Sequence, residues 1–127
     1  TQGQAVTLGN VGVLNTGSLI VDTTAGGAAA AAVYVSELTG VELAGVTAST
    51  FALTANGAIT QTGDVSATGA VDIISTGDAV RLGGANAFAA ASVSVDTTNG
   101  GIELANTVAI TETDGTELGG ISASCES

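Results

Sequence analysis

The feature that most limits what this chain can fold into is a period-two alternation sustained for only short runs at a time. Val6-Thr7-Leu8, Val41-Glu42-Leu43, Phe51-Ala52-Leu53, Val71-Asp72-Ile73, Val80-Arg81-Leu82, Val93-Ser94-Val95, Ile102-Glu103-Leu104 and Val108-Ala109-Ile110 all follow it. In a strand the outer two side chains of each triplet face a core and the middle one faces water. Gly, Asn, Asp, Ser and Thr separate the runs, and these are turn residues. Helix is disfavoured almost throughout, because Gly and β-branched residues are too dense. The one helix-tolerant stretch, Ala28 to Ala32, is short and runs into Val33-Tyr34-Val35, so it reads as strand or loop.

The runs recur. Val21-Asp22-Thr23-Thr24-Ala25-Gly26-Gly27 returns as Val95-Asp96-Thr97-Thr98-Asn99-Gly100-Gly101, with relaxed versions at Leu53 to Ile59 and Ile73 to Val80. Strands that precede these corners start at Phe51, Val71 and Val93, a spacing of about 20 residues that repeats. A second series follows the corners at Ile59, Val80 and Ile102. A third lies between them at Val46-Thr47-Ala48, Val65-Ser66-Ala67 and Phe88-Ala89-Ala90. Three short strands in about 20 residues predict an all-β fold, a parallel β-helix (β-solenoid), with roughly six coils in one domain over 1–127. An enlarged coil is expected around 25–40, where Ala-rich sequence breaks the register. A narrow solenoid interior accounts for abundant Ala and for so few aromatic residues, one Tyr and two Phe. The absence of Pro suits it as well, because Pro would remove a ladder donor. An antiparallel β-sandwich is the competing fold, and hairpin turns between long strands would mark it.

Charge narrows the function. The chain of 127 residues has one Arg, no Lys, no His and twelve acidic residues, for a net charge of −11. It cannot neutralise a row of phosphates, which argues against a nucleic-acid partner. No apolar run reaches the length of a membrane span, so membrane insertion is not expected. One Cys without His provides neither a zinc site nor a disulfide framework. The start at Thr1, without a signal-peptide pattern, reads as a processed mature protein or an excised segment.

The stretch Phe51 to Leu104, headed by Leu53-Thr54-Ala55-Asn56-Gly57-Ala58-Ile59-Thr60-Gln61-Thr62-Gly63, resembles the repeats of filamentous haemagglutinin-type exoproteins and autotransporter passengers. That resemblance implies a right-handed parallel β-helix, secretion, an extracellular or cell-surface location, and a role in adhesion or fibre building.

Candidate sites are few. Asp64, Asp72, Asp78 and Asp96 could lie on neighbouring coils, where paired carboxylates would suit glycoside hydrolysis. Solvated surface acids are the plainer reading, and no enzyme is expected. Asp64, Asp78 and Asp114 sit beside Gly in turns and are weak Ca²⁺ candidates; no other cofactor is implied. Thr60-Gln61-Thr62 and Thr111-Glu112-Thr113 do not repeat coil after coil, as an ice-binding face would require. Cys125 and Arg81 are candidates for intermolecular contact, with Arg81 expected to pair with Glu103 or near Gln61. No capping helix is evident at either end, so the ends are expected to be covered by another copy stacking head to tail into a stalk or filament, or by further coils of a longer polypeptide. The alternative from another functional class is a polysaccharide-binding or carbohydrate-active β-helix of tail-fibre or surface-lectin type, with a host or extracellular polysaccharide surface as its partner.

Overall fold

The computed structural model describes residues 2–9, 14–76, 78–88, 93–97, 108–112 and 121–124. The strands in chain order are β1 (Val6–Leu8), β2 (Ser18–Asp22), β3 (Val33–Glu37), β4 (Val41–Ala48), β5 (Phe51–Ala55), β6 (Ile59–Gln61), β7 (Val65–Ala67), β8 (Val71–Ser75), β9 (Val80–Phe88), β10 (Val93–Asp96), β11 (Val108–Glu112) and β12 (Ile121–Ser124). They form two parallel sheets. One stacks β1, β3, β5, β8, β10 and β12; the other stacks β11, β9, β6, β4 and β2, with β7 joining β4 to β9.

This is a β-solenoid. Among the described residues every strand pairing is parallel, and the one antiparallel contact is an isolated bridge between Gln2 and Thr24. The sandwich is thereby excluded. In the first sheet Val33 pairs with Phe51, Phe51 with Val71 and Val71 with Val93, so each coil here takes about 20 residues. The coil of 51–70 shows the expected three short strands, β5, β6 and β7. In the neighbouring coils the second and third strands merge into β4 and β9.

Inward columns build the core. Val33, Phe51, Val71 and Val93 form one, and Val35, Leu53, Ile73 and Val95 the next; all are buried. The second sheet contributes Val41, Ile59 and Val80 in one column. A fourth column runs Ala48, Ala67, Phe88, so the large ring lies over two small residues. Matching volumes in this way keeps a narrow interior at native packing density. Both Phe51 and Phe88 are fully buried.

Two register positions differ from the sequence-based expectation. Ala67, not Val65, pairs with Phe88, which puts Asn86 at the level of Val65. Val80 pairs with Val108. Ile102, the expected partner, lies outside the described residues. Val93 pairs with Ile121, so that coil is longer than those before it, and a constant spacing misplaces its strand. Coil size varies at the other end too. Residues 23–32, including a 3-10 turn at Ala25–Gly27, separate β2 from β3, whereas only Ser49 and Thr50 separate β4 from β5. The strongest sequence repeat also joins unlike places, because Val21 lies in the second sheet and Val95 in the first. What the two share is local. Each places an inward Val, an outward Asp and a buried Thr (Thr23 or Thr97) at a strand end.

Corners stack as closely as strands. The amides of Thr62 and Gly63 both donate to the Leu43 carbonyl, at 2.9 and 3.2 Å, and the Thr76 amide donates to the Ala55 carbonyl at 2.9 Å. Gly63 permits this approach, since a Cβ there would lie 1.8 Å from the Ala44 carbonyl oxygen. Backbone on one coil cannot yield without opening the spacing to the next. Gly63→Ala is therefore expected to destabilise the fold by about 1–3 kcal/mol in urea unfolding. Gly83→Ala, with nothing within 4 Å of its Cβ, should change stability by no more than about 0.5 kcal/mol. Equal midpoints for the two variants would contradict the close stacking of corners.

Candidate functional site

Outward residues of the first sheet line up in columns along its outer face. Pairing sets Thr7, Tyr34, Ala52, Asp72 and Ser94 in one outer column. Ser36, Thr54, Ile74 and Asp96 form the parallel one. Between them lies a groove of about 220 Å³, lined by Thr7, Leu8, Tyr34, Val35, Ser36, Ala52 and Thr54. Tyr34 stands 45 % exposed at its side. The groove exists because Ala52 is small and Tyr34, on the adjacent rung, is large. Tyr34 occupies the middle of a Val-Tyr-Val triplet, so alternation alone places it outward. The pairing that sets it beside Ala52 and Thr54 was not readable from the sequence.

The sequence-predicted acids are only partly brought together. Asp72 and Asp96 share the outer face of the first sheet, on adjacent rungs but at different levels along the strand, since the partner of Asp72 is Ser94. Asp64 lies at the corner between β6 and β7, and Asp78 at the corner between β8 and β9. These are different corners of the coil, so stacking does not superpose them. Asp78 turns its carboxylate onto the Ala79 amide at 2.7 Å. Among the described residues no three acidic, thiol or imidazole side chains gather closely enough to share a metal ion. Asp114 and Cys125 lie outside the described residues. Arg81 is exposed on the second sheet, where its partner on the next rung is Ala109. Glu103 lies outside the described residues, and Gln61 is engaged elsewhere. No helix of the described residues is long and apolar enough to cross a membrane.

Gln61 belongs to a polar bracket that sequence reasoning missed. It interrupts the inward column between Leu43 and the following coil, while Asn86 interrupts the neighbouring column of Val46 and Val65. The two amides answer each other. Gln61 Nε2 donates to Asn86 Oδ1, and Asn86 Nδ2 donates to Gln61 Oε1 at 3.2 Å. Asn86 also accepts from the Val65 amide at 3.0 Å and donates to the Leu82 carbonyl at 3.2 Å. Gln61 accepts from the Gly84 amide at 3.1 Å and donates to the Gly63 carbonyl at 2.7 Å. The bracket satisfies the backbone where β6 ends and β9 bends. A polar residue at an otherwise apolar alternation position was the available signal.

Glu37 is a further polar residue in the core. It is 4 % exposed and inward-facing at the end of β3. Its Oε1 accepts from the Thr16 amide at 2.7 Å. Its Oε2 is buried without a hydrogen-bond partner among the described residues. This carboxylate ties the segment before β2 to the core. At the far end of β2, Asp22 accepts from both the hydroxyl and the amide of Thr24, each at 2.7 Å. The hydroxyl first, and then the amide, hold the Asp22 carboxyl below the ordinary aspartate range.

A family model described as repeats of unknown function (DUF5649) matches residues 30–95, a little over half of the chain. The matched span runs from just before β3 into β10, the part in which successive coils are most nearly equal in length. Comparison with curated proteins and with solved structures gives no significant match.

Two outcomes follow from these contacts. Asn86→Ala leaves the Val65 amide without its partner in a buried place and takes one bond from each end of the Gln61 amide, which keeps only Gly63 and Gly84. It should cost about 3 kcal/mol in chemical denaturation, at the upper end of the range for stranding buried polar groups. A loss of less than about 1 kcal/mol would mean that water replaces the bracket. For Asp22 the sign is that of a depressed acid. The turn's contribution to stability is complete above the ordinary aspartate pKa and is lost as pH falls through the lowered one. A carboxyl NMR titration should show Asp22 titrating below the ordinary range, and Thr24→Val should move it upward. An unshifted Asp22 in the wild-type chain would show that the turn does not form in solution.

Proposed function

The chain belongs to this family of repeats, and from that membership and the coil geometry we propose that it is a structural segment of an extracellular, adhesin-like stalk or fibre. One observation carries the reading. At the first-coil end of the solenoid, Val6, Leu8 and Leu14 pack against the core but stay only partly buried. Their successors in the stack, Val33 and Val35, are 0 % and 5 % exposed. An apolar ladder half covered at one end is completed by another coil laid on β1 and β2. A second copy would supply it head to tail, giving an open, heterologous assembly, and further coils of a longer polypeptide would supply it equally. The outer edge of β1 favours the same contact, as an edge strand does in general.

Surface charge supports the reading from another side. A net charge of −11 on a chain with a single Arg disperses rods laterally, while stacking along the axis is driven by backbone pairing and apolar burial. The resemblance to haemagglutinin-type repeats supports the extracellular setting. In this role the chain's chemistry is mechanical and spatial. Each coil adds about 4.8 Å of stiff, hydrogen-bonded length.

The test is assembly. Sedimentation velocity over a rising concentration series, with negative-stain imaging, should show rods whose length grows with concentration. Val6→Glu places a charge in the contact and should leave monomers with an unchanged β-type circular dichroism spectrum. A wild-type chain that stays monomeric at the highest concentrations, or a Val6→Glu chain that assembles as well as wild type, would overturn the stacking.

A further inference from the structure

We propose that the groove beside Tyr34 is a binding subsite for one neutral pyranose ring of a polysaccharide. The first support is the identity of its walls. Thr7, Ser36 and Thr54 are exposed and bring three hydroxyls to one small concavity. None of these hydroxyls, nor that of Tyr34, makes a hydrogen bond within the described residues. A hydroxyl both donates and accepts, and so do the hydroxyls of a sugar. Tyr34 adds a rigid aromatic face against which the C–H face of a pyranose can lie, with little conformational entropy to lose.

Size and charge fix the class of ligand. A volume of 220 Å³ is the room of about seven liquid waters, on the scale of one sugar ring and its hydroxyls. The groove is open along the sheet, so neighbouring sugars of a chain would continue over the outer face. Its lining residues are uncharged. The nearest acid in the Tyr34 column is Asp72, one rung beyond Ala52, and it can accept from a sugar hydroxyl but repels a sulfate or carboxylate. Arg81, the sole cationic side chain, lies on the other sheet. Neutral sugars therefore fit and anionic ones do not. The inference gives the adhesin-like reading its partner and rests on that reading only for its biological use. Its chemistry is independent of head-to-tail stacking.

The chain carries its own reporter, since Tyr34 is the only Tyr and there is no Trp. Tyrosine emission should be followed while maltotetraose, cellotetraose, mannotetraose and chitotetraose are titrated to about 50 mM, the range of weak single-ring sites. A heparin-derived tetrasaccharide serves as the anionic control. At least one neutral sugar should give a saturable change that is insensitive to salt, and the anionic sugar should give none. Amide NMR shifts should move at Thr7, Tyr34, Ser36 and Thr54. By the same NMR titration, Tyr34→Ala should weaken binding about tenfold or more and Tyr34→Phe by less than about threefold. Ser36→Ala and Thr54→Ala should each weaken it about threefold to tenfold. The substituted positions are all exposed, and circular dichroism should show each variant folded. The proposal is overturned by silence with every neutral sugar, by preference for the anionic one, or by undiminished binding in Tyr34→Ala. Rods without sugar binding would remove only the groove, and sugar binding without rods would remove only the stacking.

Discussion

Hydrogen bonds from one coil's backbone to the next set every other feature of this molecule. They run along the strands and continue through the corners, as the Val33 amide to the Thr50 carbonyl at 2.8 Å and the Val46 amide to the Asp64 carbonyl at 3.0 Å illustrate. A chain paired this way repeats its cross-section at every rung. Each inward residue must then tolerate the one above and the one below. That is why the columns hold Val, Ile, Leu and Ala, and why Phe88 appears where Ala67 and Ala48 leave room. It is also why a glycine at 63 is a stacking requirement, even though its φ angle is not positive.

The same rule makes polar intrusions informative. A polar side chain in an inward column loses water and meets apolar neighbours on both sides. Gln61 and Asn86 escape that penalty by sitting in adjacent columns on adjacent rungs, where their amides meet and also complete the backbone at Gly63, Gly84 and Val65. Each is tolerable because of the other. Glu37 is handled differently. One oxygen holds the Thr16 amide while the other is buried without a partner among the described residues. Ion pairing is scarce as an option for a chain with one Arg, so hydrogen bonds to backbone carry the adjustment instead.

Much of this was legible in the residues. Phe51, Val71 and Val93 announce equivalent strands because their corners are short and of nearly constant length, so spacing in sequence equals position in the stack. The three-strand coil is readable for the same reason. Legibility ends where corner length changes, and the step from Val80 to Val108 lies beyond any constant period. It also ends where a polar residue takes an inward place. Matching apolar to apolar sets Phe88 beside Val65, whereas the ladder sets Asn86 there and Phe88 beside Ala67. The most conspicuous repeat, at Val21 and Val95, reflects the local chemistry of a strand end with a buried Thr rather than a shared sheet. Similar strand ends occur on both sheets, and sequence similarity alone does not say which one a copy occupies. Of the candidate site, the alternation gave Tyr34 its direction. The hydroxyls of Thr7 and Thr54 that flank it come from β1 and β5, and only the stacking register joins them.

Because inward columns and corners decide whether coils stack, outward strand positions are released to vary. The first sheet shows how that freedom can be divided. Its outer face begins with Thr7, Tyr34, Ser36, Ala52 and Thr54, which are uncharged, and changes at the next rungs to Asp72 and Asp96. An acidic stretch and an uncharged stretch on one rigid surface do different work. On the proposed reading the first would keep like rods apart, while the second would offer contact to a partner that brings no charge of its own. Neither changes the ladder beneath it, since both project from strands whose inward neighbours, such as Val33, Val35, Phe51 and Leu53, are already buried. A recognition face can therefore be set at one height of a solenoid without cost to the coils above, and its place along the stack is fixed by register rather than by a loop.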